Sequence, residues 1–519
     1  MKYKIGLGAL FIFSVCIALA LATDHRWEDW YITFRASKNL ALGNGLVFNI
    51  GERVMTYTSP LGTLIPALIK YLFIGYSDDY TMWVYRILCS SVLSLSVFPL
   101  FKTIESLKLN RLYYILGILL LSLSFIIIDN TINGMESAFM VFFEYALIYL
   151  ILTKPSNYNL KIGLIFACFM FSRPDGFIYA GSIILGFLLF TQLPSIQLNK
   201  SNSRGLIISL TIAIFLFGPW LLWTWYYYGT PVPHTIIAKS KSYTFEYFLN
   251  SILNYIRHFK GSADIYLAPY GENFGGWGIF ENGARMLSIL SLFYWVNWKG
   301  NNVARALSFA TLCMIAYLNI VSGQGPAPWY LPAVAAPSAL IILLALNDLN
   351  KVINSTLFYA IPSILLIFLS AHFYYATRLI RNQQNIIEFG NRKQIGLWLN
   401  KNKGAHDTIF MECLGYIGFY SDLKTFDFPG MSSPEMVATR KKLGTNEYGH
   451  LIQELQPTWV VIRSIEKNNI NKQVPNLLEK KYRLVKIFDK RLDIAHAKIK
   501  FGQPYLDFDA VFYLFKIVK

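Results

Sequence analysis

Charge is scarce in this chain. Asp, Glu, Lys and Arg make up 15% of its 519 residues, against 54% hydrophobic and 16% aromatic residues. That balance excludes an ordinary soluble protein of this length and marks an integral membrane protein. Acidic residues are the scarcer sign, 30 against 47 Lys plus Arg. A basic excess can serve nucleic acid, but here many of the basic residues stand in short loops between apolar runs, where they report topology. Cysteine is also rare: Cys16, Cys89, Cys168, Cys313 and Cys413 are widely spaced, and the first four lie in apolar segments. Neither a disulfide framework nor a metal motif follows from such spacing. There is no fixed-period repeat, no long low-complexity tract and no nucleotide-binding Gly-rich loop.

What is abundant is apolar sequence. Runs long enough to cross a hydrocarbon core lie near 5–22, 84–101, 113–129, 135–153, 205–227, 303–321, 329–346 and 354–375, with shorter candidates near 162–173, 177–191 and 284–298. The expectation is about eleven spans. The first run follows Lys2 and Lys4 and has signal-peptide features at Ala20 and Ala22, but the many later spans favour a retained anchor. A further run, 59–75, holds Pro60, Gly62, Pro66 and Lys70, and reads as a helix or re-entrant piece at the interface.

If 59–75 does not cross, the loops with Lys102, Lys108 and Arg111; Lys154 and Lys161; Lys200 and Arg204; Lys299 and Arg305; and Lys351 all share a side with Lys2 and Lys4. The positive-inside rule then gives an N-in, C-out chain whose first outer loop covers about 23–83. That topology gathers the polar motifs on the outer face: WEDWYITFR (27–35), NGMES (133–137), SRPDG (172–176), YGTPVPHT (228–235) and GQGPAPWY (323–330). From about 382 the composition becomes that of a soluble domain. A helical stretch at 394–402 precedes the strand-like runs 408–411, 458–462, 483–488 and 511–515, which predicts a small outer α/β domain over 382–519 behind a membrane module over 1–381.

Each motif has a plain reading and a chemical one. Glu28 and Asp29 could pair with Arg26 or Arg35, or one of them could act as general base on a sugar hydroxyl. Glu136 stands at a helix start, where the macrodipole favours an acid, or it binds acceptor hydroxyls or a cation. Pro174 and Gly176 make a turn; Arg173 is expensive at that depth unless it meets an anion. His234 and Lys239 could hold a lipid phosphate and stabilise it as leaving group, or attract anionic headgroups. Trp329 and Tyr330 could stack on a sugar or belong to an interfacial aromatic belt.

The order of these motifs is similar to that of a known family. The stretch DHRWEDWYITFRASKNLALGNGLVFNIGERVMTYTSPL resembles the first outer loop of the GT-C membrane glycosyltransferases, in the branch of the bacterial terminal β-arabinofuranosyltransferases, with wider kinship to the aminoarabinose and protein-mannosyl transferases. NGMES, SRPDG and YGTPVPHTIIAK look like later motifs of that branch, and the stretch IGLWLNKNKGAHDTIFMECLGYIGFYSDLKTFDFPGMSSP resembles the outer domain often attached to it. The resemblance implies a polytopic GT-C-like enzyme of a bacterial plasma membrane, with its site on the extracytoplasmic side. It would move a monosaccharide, arabinofuranose or another sugar, from a polyprenyl-phosphate donor to a glycan, glycolipid or other acceptor, with inversion. The family's base comes from an acidic pair in the first outer loop. Here the usual Asp-Asp is Glu28-Asp29, and Asp29, the remaining aspartate, is favoured over Glu28.

On this reading Arg173, His234 and Lys239 bind the donor phosphate. Glu136, Tyr57, Arg35, Trp329 and Tyr330 shape the substrate site. No metal is required, and a divalent cation near Asp29 and Glu136 stays open. The rival is a transporter or flippase for lipid-linked sugars, which would be expected to show paired halves and ionisable groups near the bilayer midplane.

Overall fold

Apolar helices dominate the computed structural model, which describes residues 2–192, 200–239, 245–257, 265–266, 278–321 and 327–518. Contacts divide the chain into two units, one of residues 1–24, 84–221 and 242–377, the other of residues 25–83, 222–241 and 378–519.

The first unit is helical. Among the described residues of the whole chain, six helices are long and apolar enough to cross a membrane: Tyr3–Thr23, Asp78–Ser106, Arg204–Tyr228, Asn302–Ile320, Pro332–Leu349 and Phe358–Asn402. A seventh span results if Arg111–Ser122 and Phe125–Ile132, bent by 56°, are counted as one. The runs expected at 135–153, 162–173 and 177–191 form the shorter apolar helices Ser137–Thr153, Tyr158–Ser172 and Gly176–Phe190. Small residues set how closely such helices approach when lipid offers no hydrophobic gain. A Cβ added at Gly186 would stand 2.1 Å from the Ala306 carbonyl oxygen, so the 176–190 and 302–316 helices touch backbone to backbone there. Arg86, wholly buried, is satisfied by Asp24 at 2.6 Å and the Ile132 carbonyl at 2.7 Å.

The second unit is built on a sheet. Its strands are β1 (Thr408–Met411), β2 (Lys424–Asp427), β3 (Trp459–Arg463), β4 (Tyr482–Asp489) and β5 (Val511–Ile517), in the order β2-β1-β3-β5-β4. β1 runs parallel to β2 and β3, whereas β5 is antiparallel to β3 and β4. Four of the strands match the apolar runs read from sequence. β2, KTFD, is the one that was not expected, because two charged residues in four hide its alternation.

Alternation along β1 and β3 feeds two cores. Ile409, Met411 and Val461 pack with Ile395, Leu399 and Leu414 on one face, while Phe410, Val460 and Ile462 pack with Leu451, Ile452 and Leu477 on the other. Ile32 and Phe48 join the first of these, so residues of the predicted first outer loop belong to the hydrophobic core of the C-terminal sheet. The 59–75 run forms a helix, Pro60–Leu72, capped by Ser59 Oγ accepting from the Gly62 N–H at 2.9 Å. Ser37 ties it to the Glu28–Ala41 helix by donating to the Thr63 carbonyl at 2.8 Å.

The helix expected at 394–402 is continuous with the one before it. Ser355–Asn382 passes into a π-helical segment, Gln383–Arg392, and then into Lys393–Asn402.

Candidate active site

WEDWYITFR opens the Glu28–Ala41 helix, with Trp27 in extended conformation at its N-cap and both acids in the first turn. Negative charge is favoured there by the exposed N–H groups and the macrodipole. The two carboxylates nevertheless have different surroundings. Glu28 Oε2 lies 2.5 Å from Arg392 Nη1, and Glu28 Oε1 accepts from the Gly415 N–H at 3.2 Å. A Cβ at Gly415 would fall 2.1 Å from the Glu28 carbonyl oxygen, so only glycine lets the two backbones come so close. Asp29, half-buried, makes no hydrogen bond or ion pair among the described residues; it feels the charges of Lys239 and Glu412. Burial pushes the Asp29 carboxyl above its usual range, Lys239 pulls against that shift and Glu412 adds to it.

Glu28 belongs to a network that sequence inspection did not reveal. Arg392 meets Glu28, Glu388 at 3.0 Å and Asp509 at 2.6 Å; Arg463 meets Asp509 at 2.5 Å, Glu412 at 2.7 Å and Glu466 at 2.6 Å. Two guanidiniums therefore serve five carboxylates, and Asp509, held by both, stays below its usual range even though it is buried. Glu28 is raised by burial; Arg392 opposes this, but its charge is divided among three acids. Glu412 follows the end of β1 and Arg463 ends β3. The chain leaves β1 toward β2 on one side and returns to β3 on the other, which is the switch point at which open α/β sheets build their sites.

His234 and Lys239 delimit a short helix in the same unit. The His234 N–H donates to the Met55 carbonyl at 2.8 Å, and its Nδ1 lies 3.3 Å from the Met431 carbonyl oxygen. Arg440 clamps the end of the same helix, donating to Ala238 O at 2.9 Å and Pro429 O at 2.7 Å. Lys239 is exposed at its end, and its charge acts on Asp29.

Two residues expected at the substrate make buried contacts with the second unit's own backbone and side chains. Arg35 is buried and donates to the Gly418 carbonyl at 2.6 Å and the Leu423 carbonyl at 3.2 Å, with its guanidinium over the Phe48 ring. Tyr57 is buried, its hydroxyl 3.1 Å from that of Tyr228, which donates to the Leu46 carbonyl at 2.5 Å.

The remaining expected residues meet in the first unit. Arg173 donates through Nη1 to Glu136 at 3.1 Å and through Nε to Asp175 at 3.0 Å, and its guanidinium lies 3.9 Å from the centroid of Tyr330. Tyr317 donates to Asp175 at 3.2 Å, and Ser137 to the Trp329 carbonyl at 3.4 Å. Sequence reading set Arg173 with His234 and Lys239 at the donor phosphate and Glu136, Trp329 and Tyr330 at the sugar, and gave Asp175 no role. Arg173, expected at the donor phosphate, carries two carboxylates here. The first four residues of GQGPAPWY lie outside the described residues. Among those described, no three His, Cys, Asp or Glu side chains converge as a metal cage.

A protein-family model described as a domain of unknown function (DUF8728) matches residues 378–508. No curated protein sequence matches the chain. Among solved structures, the oligosaccharyltransferase of Archaeoglobus fulgidus, tethered with an acceptor peptide, aligns over 95% of this chain and 73% of its own, at 11% identity and a TM-score of 0.56. ArnT from Cupriavidus metallidurans, bound to undecaprenyl phosphate, aligns over 93% of this chain and 96% of its own, also at 11% identity and a TM-score of 0.56. The mycobacterial arabinofuranosyltransferase AftD aligns over the whole chain but 40% of its own length, at a TM-score of 0.46, too low to bear on the reading. The chain has the fold of the GT-C membrane glycosyltransferases.

Proposed function

We propose that the protein is a glycosyltransferase that moves a monosaccharide from a polyprenyl-phosphate donor to a hydroxyl acceptor at the outer face of a bacterial plasma membrane, with Asp29 as general base. The observation that carries this reading is the contrast within the acidic pair: Glu28 is consumed by Arg392 and Gly415, while Asp29 is half-buried, without a hydrogen bond among the described residues, and raised toward the range in which a base works. Asp29 takes the acceptor hydroxyl's proton as that oxygen bonds to the anomeric carbon. The bond from that carbon to the phosphate oxygen breaks, and the lipid phosphate leaves with the electron pair, next to Lys239. Attack opposite the leaving group inverts the anomeric centre.

The topology that suits this chemistry is N-in and C-out with about eleven spans. It counts the three shorter apolar helices and Ile279–Phe293 with the seven spans above, and leaves Pro60–Leu72 outside the bilayer. The resemblance of the first outer loop leaves the sugar as arabinofuranose or another monosaccharide. The undecaprenyl phosphate bound in the ArnT structure supports a lipid-phosphate donor by likeness of fold.

The test is deletion. Loss of the protein should remove one sugar from an envelope glycan or glycolipid and accumulate its polyprenyl-phosphate donor, both read by mass spectrometry of extracts. An unchanged glycan profile with no donor build-up rules the proposal out.

A further inference from the structure

Asp29 has no hydrogen bond among the described residues that would fix its carboxylate, so its position has to be set by its neighbours in the chain. Those neighbours are held from one place. The Arg26 N–H donates to Gln384 Oε1 at 3.0 Å, Tyr416 donates to the Arg26 carbonyl at 3.0 Å, and Gln384 Nε2 donates to the Tyr416 hydroxyl at 2.9 Å, which closes a ring around the residue three before Asp29. The residue immediately before it, Glu28, is held by Arg392. Gln384 and Arg392 both lie on the π-helical segment Gln383–Arg392, and Glu388 between them makes the i,i+4 pair with Arg392. Four-residue steps along the wide π turn line these three side chains along one face. π-Helical geometry is rare and frequent at functional sites.

We propose that Arg392, through Glu28, and Gln384, through the Arg26 backbone, are positioning residues for Asp29, so that this π-helical segment sets where the base stands. The inference rests on the reading of Asp29 as the base. It gives the DUF8728 region, which begins at residue 378, a task in the reaction: it supplies the frame of the catalytic base. Asn391 anchors the frame in turn, donating to the Asp509 carbonyl at 3.0 Å and the Ala510 carbonyl at 3.2 Å.

The experiment uses the full chain in membranes of the deletion strain, supplied with the sugar-phosphate lipid fraction extracted from that strain. R392Q should lower kcat by about 10- to 100-fold, the size of loss that misplacing a reacting group brings. The KM for the lipid fraction should stay within about threefold, because donor binding is untouched. R392K, which keeps the charge, should retain more turnover than R392Q. The double variant E28Q/R392Q should be no worse than the worse single one, since both act through one contact. Wild-type kcat in R392Q, a loss confined to KM, or losses that multiply in the double variant would each overturn the positioning role. Q384M, which removes one neutral anchor, repeats the test if R392Q does not accumulate folded protein. D29N separates the two claims: an inactive D29N beside a fully active R392Q defeats the positioning role alone, whereas a fully active D29N defeats the reading of the base.

Discussion

The carboxylate of Glu28 is bound to the guanidinium of Arg392 at 2.5 Å, while Asp29, the next residue, has no such partner among the described residues. Adjacent acids on a helix point about 100° apart, so one can face a structural counter-charge while the other faces a reactant. The pair is therefore not two equivalent bases.

Asp29 has to be deprotonated to act as base, and its pKa is raised. Turnover should fall as pH drops through that raised value, with an acid limb above the usual carboxylate range. Lys239 holds the value down, so Lys239→Met should move the limb to higher pH. Glu412 pushes it up, so Glu412→Gln should move it to lower pH. Profiles of kcat against pH for the two variants read these opposite shifts; shifts of the same sign would contradict the assignment.

Arg35 is a clamp on carbonyls, which predicts a stability effect without a specificity effect. Arg35→Met leaves the Gly418 and Leu423 carbonyls without their donor and should cost about 1–3 kcal/mol. Thermal unfolding of the detergent-solubilised protein measures that loss. A raised KM at unchanged stability would return Arg35 to the substrate site.

Arg173→Gln strips the counter-charge from two acids, Glu136 and Asp175, and should destabilise by about 3–5 kcal/mol. Glu136→Gln leaves the Arg173–Asp175 pair intact and should cost less. The same unfolding measurement ranks them, and the reverse order would show that the cluster does not depend on the arginine.

Gly415→Ala places a methyl group 2.1 Å from the Glu28 carbonyl oxygen, and backbone cannot move aside as a flexible side chain does. It should cost about 1–3 kcal/mol and displace Glu28 from its ion pair. Stability and turnover should fall together, while Gly6→Ala, with open space at its Cβ, should change neither.

Much of the architecture could be read in the chain because it follows from local pattern. Apolar length marks the spans, and alternation marks β1, β3, β4 and β5. The acidic pair was visible as WED, and the motifs that hold Glu136, Arg173 and Tyr330 stood out from the apolar runs around them, although nothing in the sequence joined those three residues to one another. Partners far apart in sequence were not legible. Nothing local connects Arg26 with Gln384 or Glu28 with Arg392, because sequence reading has no term for pairs brought together by folding. The π-helical segment was hidden for another reason: its apolar spacing reads as ordinary helix, and one residue of extra winding leaves no compositional trace. Asp175 was missed because Pro174 and Gly176 already explained the turn. The contacts Arg35 and Tyr57 make within the fold were not legible either, because their partners lie far away in the sequence.

The most direct test of the account is the comparison of D29N with E28Q in deletion-strain membranes supplied with the accumulated donor lipid. The account predicts that D29N loses about 10²- to 10⁴-fold in turnover, the usual contribution of a general base, and that E28Q, which loses only a positioning charge, falls less. Wild-type turnover in D29N, or a deeper loss in E28Q than in D29N, would contradict it.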